Sequence, residues 1–320
     1  MKKIIAVLLA SVMLLVMTAC GASAPADDGK YVVGVVQLVP HVALDAATQG
    51  FVDKLTELLG EENVTIDVKV AAGDSATCAP IVTDFVTQGV DLIMANATPA
   101  LQAAAAATAD IPILGTSVTE YGVAMGIENF TGVVGGNVSG TSDLAPLDKQ
   151  AAMVKEWCPD AETVGLLYCS AEANSQYQVD TVQKYLEELG MTVTQYPFAD
   201  SNDMAAVTQT ACDNSDVIYV PTDNTCASSA GIIDGICQSA GVPVICGEEG
   251  ICAGCGIATL SINYYDLGVK TAEMAAQILK GEADVSTMAI GYADKQTPKY
   301  NAAICEALDI TPLEGYEPIA

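Results

Sequence analysis

Residues 31–59 read YVVGVVQLVPHVALDAATQGFVDKLTELL, and this stretch decides the fold. Tyr31–Val39 is β-branched and apolar, which makes it a strand. From His41 to Leu59 the apolar positions Leu44, Phe51, Leu55 and Leu58 recur at helical spacing. The same alternation then repeats along the chain. Val64–Ala71 is a strand, Ala79–Thr87 lies in a helix, Leu92–Ala95 is a short buried strand, Thr98 opens an Ala-rich helix through Ala107, and Ile113–Gly115 is the next strand. Asn137–Pro146 (NVSGTSDLAP) interrupts the pattern with turn residues and is expected to be a crossing between lobes.

The alternation restarts beyond that break. Asp148–Trp157 is a helix and Thr163–Tyr168 a strand. Glu172–Leu189 is a helix stopped by Gly190. Thr192–Phe198, Ala205–Cys212, Val217–Val220, Ala227–Ser239 and Val242–Cys246 continue the series. Ala258–Ser261 is expected to be a second crossing strand, Tyr265–Leu279 a helix, and the tail to carry Tyr292–Lys299 and a helix over Ala302–Leu308. The expected fold class is therefore α/β, with two lobes, each a parallel sheet with helices on both faces, around a ligand cleft. One lobe takes 31–141 with about 263–290, the other 142–262 with about 291–316. Ligands of such sheets sit outside the carboxyl ends of the strands, and that rule picks the loops to inspect.

The start of the chain has another purpose. Lys2 and Lys3 precede an apolar run from Ile4 to Met17, followed by Thr18-Ala19-Cys20. The run has about 14 residues, short of the roughly 18 to 20 that cross a bilayer. A basic start, a short apolar segment and small residues describe an export signal. With Cys20 at the cut site it resembles a bacterial lipoprotein signal, implying lipid on Cys20 and an extracytoplasmic protein anchored to the membrane; an ordinary secretory signal is the alternative. Residues 21–30 are small, polar and turn-prone, as in a flexible linker.

Composition limits the partners. The net charge is −28 and all 12 basic residues are Lys. Such a surface repels nucleic acid. Without Arg, an anionic ligand group has to be held by helix N-termini, backbone N–H groups and hydroxyls. There are eleven cysteines. With Cys20 set aside the remainder is even, which fits disulfides, but the spacing is no compact framework. Cys252-Ala-Gly-Cys255 admits a local disulfide, a weak metal site or buried free thiols. A single His, with no GxSxG, P-loop, HExxH or GxGxxG, leaves little for an enzyme or a cofactor.

Several blocks are together similar to the substrate-binding proteins of ABC importers of the tryptophan and aromatic amino-acid type. They are Gln37-Leu-Val-Pro-His-Val-Ala-Leu-Asp45-Ala-Ala-Thr-Gln-Gly50-Phe51, Ala97-Thr98-Pro99-Ala100, Asn137-Val-Ser-Gly140-Thr-Ser142-Asp143, Ser170-Ala-Glu172-Ala-Asn174-Ser175, Tyr219-Val-Pro-Thr-Asp223-Asn224-Thr225 and Tyr264-Tyr265-Asp266-Leu-Gly268. The likeness runs from about Tyr31 to about Pro312 and departs at Thr119-Glu120-Tyr121, where the family has Thr-Asp-Pro. It implies a type I periplasmic-binding fold, a small zwitterionic ligand, and a membrane permease with its ATPase as partners. A branched amino acid, a sugar, a nucleoside or a sensor partner are the alternatives.

The strand-end loops supply the candidate ligand residues. Thr98 opens a helix and, with Ser117, suits a ligand carboxylate. Asp223 is the best candidate for a ligand ammonium, and its replacement by Ala is expected to weaken binding with little loss of fold. Glu248 is a second candidate for that charge. Glu172 and Asn174 follow a second-lobe strand, Asn224 follows Asp223, and Gln37 and His41 come from the first loop. The alternatives are structural: Thr98, Glu172 and Asp223 as helix-terminus residues, His41 as a hydrogen-bonder. Tyr121 and Tyr264 either flank an aromatic ligand or pack at the hinge.

Overall fold

Two parallel sheets organise the chain in the computed structural model, which describes residues 29–319 apart from Asp74 and the side chain of Ser75. The expected signal segment, Cys20 and the linker up to residue 28 lie outside the described residues. The first half runs β1 (Tyr31–Gln37), α1 (Val42–Leu59), β2 (Val64–Val70), α2 (Ser75–Gln88), β3 (Leu92–Asn96), α3 (Thr98–Ala107), β4 (Ile113–Val118), α4 (Tyr121–Met125) and β5 (Val138–Ser142). The second runs α5 (Leu147–Trp157), β6 (Thr163–Cys169), α6 (Ala173–Glu188), β7 (Thr192–Phe198), α7 (Ser201–Cys212), β8 (Val217–Val220), α8 (Asn224–Ser228), α9 (Ala230–Ala240), β9 (Val244–Cys246), α10 (Glu249–Cys255) and β10 (Ala258–Ser261). The return is α11 (Tyr264–Leu279), β11 (Gly291–Tyr292), β12 (Thr297–Tyr300), α12 (Ala302–Ala307) and β13 (Glu317–Pro318).

The first sheet has the order β11-β5-β4-β3-β1-β2 and the second β13-β12-β10-β9-β8-β6-β7. All neighbours pair in parallel except β12, which runs against β10. The inner strands β3, β4 and β8 are buried along their whole length, as strands covered by helices on both faces must be. The edge strands β2 and β7 bury fewer positions, and Val68 and Val70 reach solvent. The chain passes between the sheets at 143–146, 262–263 and 293–296, three hinge passages side by side.

Two glycines fix how the return helix seats on the first lobe. α11 packs along α1. A Cβ on Gly50 would stand 2.1 Å from the Tyr265 carbonyl oxygen, and one on Gly268 would stand 2.0 Å from that of Ala47. The helices cross at backbone contact, which side chains at these positions forbid.

The structure departs from the sequence reading in four places. Asn137–Pro146, read as a break, contains β5, whose five residues are all buried. Its hydroxyls have tertiary partners instead of water: Ser139 donates to the Met288 carbonyl, Ser142 to that of Thr119, and Thr141 bonds Thr116 and Thr271. Ala227–Ser239 is not one helix but α8 and α9, separated at Ser229. Tyr292–Lys299 divides between two sheets. The short helices α4 and α10, of five and seven residues, are too brief to show an apolar period in the sequence.

Candidate functional site

Acids at the carboxyl ends of second-lobe strands are helix caps first. Asp223 follows β8 and stands at the N-cap of α8. One carboxylate oxygen accepts the Cys226 N–H at 2.8 Å and the other the Cys169 N–H at 2.7 Å. Glu248 caps α10, accepting from the Gly250 N–H at 2.6 Å and from the Ile251 N–H. Glu172 occupies the N-cap position of α6 but serves a different helix. It takes the Asn224 N–H at 3.1 Å, the Asn224 amide at 2.6 Å, the Thr225 N–H at 2.9 Å and the Thr225 hydroxyl at 2.8 Å. All three carboxylates are buried.

The same caps bring charge to one narrow cavity between the lobes, of about 10 Å³, room for a single small group. Its walls include His41 and Leu44 from the first lobe, Asp143 and Tyr264 from two hinge passages, and Asp223 and Glu248 from the second lobe. Asp143 is buried; one of its oxygens accepts the Tyr264 hydroxyl at 3.0 Å and the other has no partner. No lysine lines this cavity among the described residues. Removal from water therefore dominates these acids. Burial, with Glu172 nearby, pushes Asp223 up to about 7. Burial pushes Glu248 up to about 7 and raises Asp143. Three desolvated carboxylates around one cavity are complementary to a cation of matching size.

His41 joins the lobes. The Asn224 amide nitrogen donates to Glu172, so its oxygen is the acceptor and His41 Nε2–H the donor, at 3.3 Å. Burial holds the ring below its usual pKa. Nδ1 is then a bare acceptor, buried and unpartnered.

Across the cleft, first-lobe loops carry unusual backbone. Ala97 has φ 93° and Ser117 φ 53°, both non-glycine residues at the ends of strands β3 and β4. The hydroxyls of Thr98 and Ser117 are buried without partners. Thr98 is the first residue of α3, so its own cap role is absent: Ala97 holds the N-cap. Asn174 donates to the Thr222 carbonyl at 3.2 Å while its side-chain oxygen lacks a partner. Gln37 is engaged inside the first lobe, donating to Val39 and Asp45 and accepting from Thr48.

The structure thus brings His41, Asp223, Asn224, Glu248 and Tyr264 together around the narrow cavity. Glu172 and Asn224 also line a larger cavity of about 430 Å³ at the cleft mouth, with Val39, Pro99, Cys169 and Ser201. Thr98, Ser117, Asn174 and Gln37 are on neither wall in this arrangement. Asp143 is the cavity acid that the sequence reading did not single out. It ends the Asn137–Asp143 block, and reading that block as a turn concealed an acid directly after a strand. Tyr121 is not at the cleft: its hydroxyl donates to the Thr141 carbonyl at 3.0 Å inside the first-lobe core.

Known proteins bear on this geometry. The family model described as "ABC transporter substrate binding protein" matches residues 32–315. The tyrosine-binding protein of Clostridioides difficile (strain R20291) is 34% identical over 327 residues, covering 98% of this chain and 94% of that protein. An ABC domain from Streptococcus pneumonia in complex with L-Trp has a TM-score of 0.86 at 32% identity, over 91% of this chain and 100% of that one. The ligand-free, open structure of a substrate-binding protein with adhesive properties from Clostridium difficile has a TM-score of 0.68 at 38% identity, over 90% of this chain and 99% of that one. The more identical chain is thus the less alike in overall shape. The two α/β lobes form a type I periplasmic-binding fold, and the chain belongs to the ABC transporter substrate-binding protein family.

Proposed function

We propose that the protein captures an aromatic amino acid by closing its lobes on it, and delivers it to a membrane permease driven by an ATPase. The observation that carries the reading is the unpartnered, buried oxygen of Asp143 beside Asp223 and Glu248, in a cavity that no lysine lines among the described residues. A ligand ammonium supplies the missing charge. The buried, unpartnered hydroxyls of Thr98 and Ser117 stand off both cavity walls in this arrangement, and in this reading they reach the ligand carboxylate only once the lobes readjust around the ligand. Contacts of this kind from both lobes favour closure, since only the closed state makes them all. The aromatic side chain is supported by the relatives named for tyrosine and crystallised with L-Trp. The protein works outside the cytoplasm, as substrate-binding proteins of ABC importers do, and lipid on Cys20 would hold it at the membrane.

Calorimetry tests this with L-tyrosine, L-tryptophan, L-phenylalanine and L-leucine, together with tyramine and N-acetyl-tyrosine. The reading expects the aromatic amino acids to bind and both tyrosine derivatives to fail, because each lacks one of the two charges. Equal binding of tyramine removes the carboxylate role, and binding of N-acetyl-tyrosine removes the ammonium role. Cys20→Ser should release the protein from membranes; normal retention rejects the anchor.

A further inference from the structure

We propose that Cys212 and Cys237 are a redox pair that closes to a disulfide outside the cytoplasm and staples the segment carrying Asp223 and Asn224. Their sulfurs lie 3.5 Å apart. Cys212 is the last residue of α7 and Cys237 lies in α9, the two helices packing together. The segment between them holds β8, Asp223, Asn224 and α8, so one bond would fasten both ends of the polypeptide that carries Asp223 and Asn224 to the cavity.

The chemistry has a direction. Cys212 is 7% exposed and Cys237 1%. The hydrogen bond from Cys237 holds the Cys212 thiol below its usual range, whereas Cys237 is held above it. The outer sulfur is thus the nucleophile and the inner one resolves. The oxidant is a low-molecular-weight disulfide, a class that persists outside the cytosol. The Cys212 thiolate attacks it, forming a mixed disulfide and expelling one thiol. Cys237 gives up its proton and attacks the Cys212 sulfur, expelling the second thiol. Two protein thiols are oxidised and one small disulfide is reduced. Other buried thiols are held protonated: Cys226 and Cys246 are raised well above the usual range by burial.

The full-length protein, reduced and then exposed to oxidised glutathione, is alkylated under denaturing acid conditions and peptide-mapped. The expected product is a Cys212–Cys237 link with two hydrogens lost. It should raise the thermal midpoint by roughly 5 °C, from the entropy of closing the loop, and slow hydrogen exchange across 217–228 without changing ligand affinity. Cys158→Ser should keep all three effects and Cys212→Ser should lose them. No link, a stable glutathione adduct at Cys212, or a link among Cys246, Cys252 and Cys255 overturns the proposal. Should the Cys212→Ser chain fail to fold, the wild-type peptide map decides alone.

Discussion

The Tyr264 hydroxyl donates to the Asp143 carboxylate at 3.0 Å and so ties two of the three hinge passages together. Asp143 directly follows β5, and Tyr264 is the first residue of α11. The bond presents the second, unpartnered oxygen of Asp143 in the cavity. Asp143→Asn keeps an acceptor for Tyr264 but removes the charge. It is expected to lower affinity for L-tyrosine or L-tryptophan about 10- to 100-fold, the scale of a hydrogen bond to a charged group. Tyr264→Phe should cost less, roughly tenfold, by loosening the carboxylate. Calorimetry measures both; unchanged affinity in Asp143→Asn would end its assignment to the ammonium.

Asp223 shows why a binding residue and a folding residue need separate readouts. Its two oxygens hold the N–H groups of Cys169 and Cys226. Asp223→Ala is therefore expected to destabilise the chain by about 1–3 kcal/mol or more as well as weaken binding, because two buried N–H groups lose their acceptor. That differs from the mild folding cost the sequence implied. Asp223→Asn can keep one acceptor while removing the charge, so it should separate the two effects, with affinity falling more than the denaturation midpoint. Equal losses in both variants would make Asp223 purely structural.

The acidic cavity also predicts a pH dependence. Asp223 and Glu248, ordinarily titrating at 3.8 and 4.5, hold their protons to about 7 when buried. Between those limits the folded chain binds more protons than the unfolded one. Their contribution to stability is full below about pH 4 and is lost as pH rises through about 7. A ligand ammonium needs the ionised form, so binding below about pH 7 releases protons. Affinity should therefore climb about tenfold between roughly pH 5.5 and 7.5, and the ligand-induced rise in melting midpoint should grow with it. Calorimetry in buffers of different ionisation enthalpy counts the protons; a flat profile with no release refutes the coupling.

The fold was legible because strands such as Leu92–Asn96 and helices such as α1 repeat distinct apolar periods. The cavity acids were partly legible, since strand-end position singled out Asp223 and Glu248. Asp143 escaped because β5 is built of Val, Ser, Gly and Thr, whose hydroxyls are satisfied only by residues distant in sequence, such as Thr271 and Met288. No local pattern carries that information. Glu172 shows the same limit: its position offered a ligand role or, as the alternative, service to its own helix, whereas its carboxylate bonds Asn224 and Thr225, about fifty residues away.

The glycines of the α1–α11 crossing give a test of packing alone. Gly268→Ala would set a Cβ 2.0 Å from the Ala47 carbonyl oxygen, a backbone atom that cannot rotate aside. Separating the helices is expected to cost about 3 kcal/mol or more, at the upper end for overpacking. Urea denaturation reads the loss, and a change under 1 kcal/mol would show that the crossing is looser than described.

His41 tests closure itself. Its bond to Asn224 at 3.3 Å joins the lobes directly at the cavity. His41→Ala removes that bond, which exists only while the lobes are together. The open state should gain population, and small-angle scattering of the ligand-free protein should report a larger radius of gyration than the wild type. Ligand should restore the smaller value, with affinity reduced about 3- to 10-fold, as expected for one neutral hydrogen bond. Within each lobe His41→Ala should change little, because its cavity partner lies across the cleft. A variant that melts much earlier with unchanged scattering would place His41 in the first-lobe fold and remove it from closure.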